Sequence, residues 1–253
     1  MPLICNAIPK SGTYLLASIA EFCGFEDTHV RFLDHGTNLV DGQNHLKEYI
    51  NGNGPERFFE LSENAYAPSH LTYSQDLAET FADSRIKHLF MYRHPGDVIW
   101  SYVRFVTYSQ SFATHSSDTQ NTQNRMRNDF ESDEQRFVHV YFQMKHNFNF
   151  LDNSRWLTDT STFTLRFENL YTEILELREG KIGRLLEGLF EYLGHKPSQD
   201  LTEMYETIHG RGPTFMPGTK KVGQYSNLDL TGISSVLNDP EFRNCLDLYG
   251  YDH

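Results

Sequence analysis

The chain has 253 residues, with 22 basic and 34 acidic side chains and a net charge of −12. That charge excludes a general nucleic-acid binder, which needs a basic surface to neutralise phosphates. Nineteen Phe and 14 Tyr exclude a disordered chain, and no apolar run approaches the ~20 residues needed to cross a bilayer.

Residues 3–8 (Leu-Ile-Cys-Asn-Ala-Ile) form a short apolar run ending at Pro9, which predicts a buried first strand. Leu15, Leu16, Ile19, Phe22 and Cys23 then repeat with helical spacing up to the stop at Gly24. Between them lies the turn Pro9-Lys10-Ser11-Gly12-Thr13-Tyr14. A helix N-terminus there presents unpaired N–H groups and a partial positive charge. Gly12 permits close approach, Ser11 and Thr13 add hydroxyls, and Lys10 adds a point charge. The set suits a phosphate or sulfate. It is not a Walker A loop, since GxxxxGK[ST] is absent.

A second unit of the same kind spans residues 86–108. Ile86–Tyr92 reads as a core strand, Arg93-His94-Pro95-Gly96 as a turn, and Val98, Ile99, Tyr102, Val103 and Val106 as the apolar face of a helix begun at Pro95. Asp97, third in that helix, is expected to stabilise its N-terminus. The polar stretch 109–135 reads as a loop. Thr162–Phe167 alternates like a strand, and Ile182 to Leu193 follow helical spacing up to Gly194 and Pro197. Residues 209–227, rich in Gly and Pro, read as a second loop. Strands alternating with helices imply one α/β domain over 1–253, with a mostly parallel central sheet flanked by helices. Ligands in such sheets bind at the carboxyl ends of the strands, where both turns lie.

Cys5, Cys23 and Cys245 form no CxxC pair and no disulfide framework, which points to a reducing cytoplasm. The 12 His show no metal-ligand spacing, so no metal is expected.

Ile8-Pro9-Lys10-Ser11-Gly12-Thr13 resembles the 5′-phosphosulfate loop of the cytosolic-type sulfotransferases, and Tyr92-Arg93-His94-Pro95-Gly96-Asp97 followed by Ser101 resembles their 3′-phosphate motif. The likeness runs from residue 3 to about 227 and implies a P-loop-like fold. It also implies a donor, 3′-phosphoadenosine 5′-phosphosulfate (PAPS), with 3′-phosphoadenosine 5′-phosphate (PAP) as product. Under it, Lys10 stands beside the bridging oxygen, with Ser11 assisting, and the amides of Ser11, Gly12, Thr13 and Tyr14 hold the 5′-phosphate. Arg93 and Ser101 hold the 3′-phosphate.

The resemblance further implies His70 as the base, sixty residues after Lys10 and following a short strand. His35 and His45 are rivals. The Lys usual two residues before that His is Pro68 here, and the loop Trp is Leu15, leaving Tyr14 and Tyr225 for adenine stacking. Phe167, in Arg166-Phe167-Glu168-Asn169-Leu170, takes the place where an aromatic approaches the nucleotide. The C-terminal Arg-Lys-Gly motif has become Gly218-Thr219-Lys220, with Gly223 kept, so Lys220 or Lys221 is expected to replace the missing cations on the 3′-phosphate within the cofactor-covering loop 209–227.

The acceptor is expected to be a small molecule with a hydroxyl or amine, approached past 109–135. Glu21, Glu60, Glu63, Asp129, Glu131 and Asp133 leave room for a cationic natural product. Two readings stay open beside this one: a nucleotide kinase or NTPase, and a nucleotide-binding protein without turnover.

Overall fold

Seven parallel strands make the frame of the described chain, in the order β4-β3-β5-β1-β6-β7, with the two-residue β2 beside β5. The structure is a computed structural model that describes residues 1–34, 46–50, 58, 60–82, 85–113, 116–196, 200–209 and 222–252. The strands are β1 (Leu3–Ala7), β2 (Glu26–Asp27), β3 (Val30–Asp34), β4 (Leu46–Ile50), β5 (Ala65–His70), β6 (Lys87–Tyr92) and β7 (Thr162–Arg166). The helices are α1 (Thr13–Phe22), α2 (Gln75–Phe81), α3 (Pro95–Tyr108), α4 (Gln110–Ala113), α5 (Ser117–Asn128), α6 (Asp133–Phe148), α7 (Phe150–Asn153), α8 (Phe167–Leu177), α9 (Arg184–Leu193), α10 (Leu201–Ile208), α11 (Ser234–Leu237) and α12 (Pro240–Tyr249).

Side-chain alternation along the central strands builds two cores. Leu3, Cys5, Ala7, Leu89 and Met91 face α1, α8, α9 and α10. Ile4, Ile8, Ala67 and Phe90 face α2, α3, α6 and α12 around the fully buried Trp156. The neighbours β1 and β6 thus send their following helices to opposite faces. The turns after them part at the carboxyl edge and open a crevice there, the topological switch point of a parallel sheet. The sheet and both turn-bearing units agree with the sequence reading.

The polar segment 109–135 is a correction. It is not a loop but carries α4, α5 and the start of α6. Its polarity is that of a helix burying little: of α5, only Gln123 and Met126 are buried. The segment is fastened to α3. Gln123 Nε2 donates to the carbonyls of Val106 at 3.0 Å and Ser109 at 2.9 Å, and Arg127 Nε to that of Thr107 at 2.7 Å. The start signals were present in local sequence: a capping box joins Ser116 and Thr119, and Ser132 Oγ accepts from the Gln135 amide.

Candidate active site at the carboxyl edge of β1 and β6

The turn after β1 is held in an unusual backbone shape. Lys10 sits at φ 69 and Gly12 at φ 112, both in left-handed territory. For Lys10 this costs on the order of 1 kcal/mol, and such strain collects at functional sites. At Gly12 a Cβ would meet Met91 Sδ at 2.8 Å and Phe167 Cδ2 at 2.9 Å, so the backbone rests directly on these side chains. The Ser11 N–H closes the turn onto the Ile8 carbonyl at 2.9 Å. That bond uses the Ser11 amide inside the turn, so an anion-binding set read from this geometry starts at Gly12, one residue later than the sequence suggested. Ser11 Oγ is fully buried and has no hydrogen-bond partner, as a donor kept for a ligand would be.

The Lys10 ammonium lies over the Phe105 ring, 4.0 Å from its centroid. Among the described residues no carboxylate pairs with it. Burial, then the charges of Arg93 and Arg31, push its pKa down to about 7.

The turn after β6 is built differently. His94 caps α3 by accepting the Gly96 N–H at 3.0 Å on Nδ1. Arg93, 5% exposed, donates from Nη1 to the Lys10 carbonyl at 3.3 Å, which ties the two turns together. Its Nη2 lies 3.4 Å from Asp97 Oδ2, and its guanidinium covers the Phe167 ring at 4.7 Å. Phe167 opens α8 as a floor shared by Gly12 and Arg93. Ser101 lies half-buried on α3, two turns after Pro95.

Asp97 does more than the sequence implied. It is 1% exposed and accepts the Gly223 N–H at 2.7 Å and the Tyr225 N–H at 3.0 Å. Tyr225 stacks on the His94 ring, with centroids 4.5 Å apart, and closes over Gly96, where a Cβ would lie 2.8 Å from its ring. One carboxylate therefore fastens the end of the expected covering segment to the expected 3′-phosphate turn. Lys220 and Lys221, like the rivals His35 and His45, lie outside the described residues. Glu168 adds a second brace, accepting the His94 N–H at 2.9 Å and the Tyr251 hydroxyl at 2.8 Å.

His70 ends β5, within reach of the same edge. Its Nδ1 is 2.7 Å from the Ala7 carbonyl. A carbonyl only accepts, so Nδ1 carries the proton and the lone pair of the neutral ring is on Nε2. This is the tautomer a general base needs. Of the acidic residues, Glu21 accepts from the Tyr66 hydroxyl, Asp129 pairs with Arg125 and Asp133 with Arg136.

Phe105, Asp97 and Glu168 contact the two turns, which motif reading did not indicate. Phe105 had a local signal, lying four residues after Ser101 on the same helix face; Asp97 reaches Gly223 and Tyr225, and Glu168 reaches His94, across long stretches of sequence.

Comparison with known proteins gives three findings. A family model described as "Sulfotransferase domain" matches residues 2–175. No curated protein matches the sequence. Among solved structures, that of mouse sulfotransferase SULT7A1 complexed with PAP is similar, with TM-score 0.54 and 14% identity over 98% of this chain and 88% of that one.

Proposed function

The chain belongs to the family of PAPS-dependent sulfotransferases, and we propose that it moves a sulfuryl group from PAPS to a hydroxyl or amine of a small molecule, with Lys10 and His70 carrying the chemistry. The observation that supports this most is the ammonium of Lys10. It rests on an aromatic face with no carboxylate partner among the described residues, beside the orphaned Ser11 hydroxyl and the N-terminus of α1. Such a set lacks negative charge and fits the phosphosulfate end of the donor.

When bound, the donor supplies an activated sulfuryl group on a phosphate leaving group. The amides from Gly12 to Tyr14 and the Ser11 hydroxyl hold the 5′-phosphate. Arg93, with Ser101, holds the 3′-phosphate. His70 takes the acceptor proton on Nε2 as the acceptor oxygen or nitrogen bonds to sulfur. The bond from sulfur to the bridging oxygen breaks, and Lys10 meets the charge that grows on that oxygen, or gives it a proton. A cation fixed there favours the transition state over the ground state. Asp97 keeps Gly223 and Tyr225 against the 3′-phosphate turn.

Calorimetric titration with PAP beside ADP and ATP tests the reading. Binding near micromolar that needs the 3′-phosphate and is lost in Arg93→Ala is expected. Equal binding of ADP, or magnesium-dependent ATP hydrolysis, would overturn it in favour of a nucleotide kinase. Tight PAP binding without PAP release from PAPS, across a panel including phenols, alcohols, amines and cationic natural products, would leave a binding protein.

A further inference from the structure

Arginine is among the residue types most rarely buried. Arg31, on β3, is 4% exposed. Its neighbour Phe32 packs into the core with Ile4 and Ala67, so alternation sends Arg31 to the other face of the sheet, under α1. There its guanidinium carbon lies 5.4 Å from the ring centroid of Tyr14, in the first turn of that helix. Its charge reaches Lys10, whose pKa it helps to lower.

The sheet register adds a second observation. Phe32 pairs with Ser69 and Leu33 with His70. Arg31 therefore stands beside Pro68, on the same face of the sheet. A proline ring is too short to reach the phosphate turn from that place. Arg31, its cross-strand neighbour, is longer, and its guanidinium comes over the ring of Tyr14 at the end of that turn.

We propose that Arg31 is a donor-binding residue for the phosphosulfate end, its guanidinium sharing with Lys10 the negative charge of the 5′-phosphate and sulfuryl group. It supplies from β3 the cation that the chain lacks at Pro68. Arg93 does the corresponding work at the 3′-phosphate. This inference rests on the sulfotransferase reading of the site.

The test is calorimetric titration of wild type, R31M, R31K and R93M with three probes: PAP, adenosine 5′-monophosphate and adenosine 3′-monophosphate. R31M keeps the apolar stem and removes the charge. It is expected to weaken PAP and the 5′-monophosphate about tenfold or more, and the 3′-monophosphate by less than about twofold. R31K, a point charge without the fork, should recover part of the loss. R93M should show the mirror-image ranking.

If R31M weakens all three probes alike, or none, Arg31 only packs beneath α1 and the inference falls. Should R31M not fold, R31K decides: a selective loss for the 5′-phosphate probes supports the role, and an unchanged ranking overturns it. A wild type that binds the two monophosphates and PAP alike sinks the sulfotransferase reading of the site, and this inference with it. That result is seen before any variant is compared.

Discussion

The two turns at the carboxyl edge handle positive charge in opposite ways. After β6, Arg93 is already answered by Asp97 at 3.4 Å and backed by the Phe167 ring. After β1, Lys10 has no described carboxylate partner and leans on a phenyl ring. The first turn is preorganised: its cation is held in place whether or not a ligand is present. The second stores an electrostatic deficit that an anion relieves. The division suits a site in which one phosphate only anchors and the other end reacts, because groups that work in the transition state gain from being unsatisfied before it.

The largest expected effect comes from removing the unsatisfied cation. Lys10→Met should lower kcat/KM by about a thousandfold or more, the scale of losing a main electrostatic stabiliser, while PAP affinity falls much less. Initial rates of PAP release, with PAP binding measured on the same protein, check it. Equal losses in binding and turnover would mean that Lys10 is an anchor like Arg93, and the contrast between the turns would vanish.

His70→Ala follows, with an expected drop in kcat of about a hundredfold or more and PAP affinity unchanged. Near-wild-type turnover would remove His70 from the base role.

The anchoring turn is probed through Asp97. Asp97→Asn keeps the shape but removes the charge facing Arg93 and weakens its bonds to Gly223 and Tyr225. A loss of about tenfold in PAP affinity is expected, with ADP affinity unchanged, together with destabilisation of about 1–3 kcal/mol from disturbing a buried charged network. Thermal melts with and without PAP separate the two. If melting drops while the preference for PAP over ADP survives, Asp97 braces the fold and not the phosphate site.

What the sequence disclosed divides along similar lines. Both turns were readable because their chemistry is local: strand, Pro, cation, Gly and helix fall within a dozen residues. His70 is a candidate only through the family resemblance, since nothing in its neighbourhood marks it, and its tautomer is set by Ala7 on another strand. Asp97 looked like an ordinary first-turn carboxylate because its partners Gly223 and Tyr225 are 126 and 128 residues away. Arg31 sits on a five-residue strand too short for alternation to declare itself. The stretch 109–135 misled through composition, although the Ser116 and Ser132 caps were there to be read.

The smallest effect is also the one that separates the turns most directly, because it rests on the sign of a slope. Lys10 has a pKa of about 7 in the ligand-free fold and 10.5 as its ordinary value. A bound anion restores the charged form, so PAP binding at pH 8 should take up about one proton, falling towards zero near pH 6 where Lys10 is already charged. PAP affinity should therefore weaken as pH rises above about 7. Folding responds the other way. Between pH 7 and 10.5 the unfolded chain holds the Lys10 proton and the ligand-free fold does not, so this group makes the fold more stable as pH rises through that window. Calorimetry in buffers of different ionisation enthalpy gives the first slope, and denaturant melts across the same pH range give the second. Subtracting Lys10→Met isolates the group from the phosphate titration near pH 6. Opposite signs in the two difference curves are expected from a cation buried with no carboxylate partner among the described residues. Two flat curves would mean that Lys10 keeps its charge throughout, and that the turn after β1 is as fully compensated as the turn after β6.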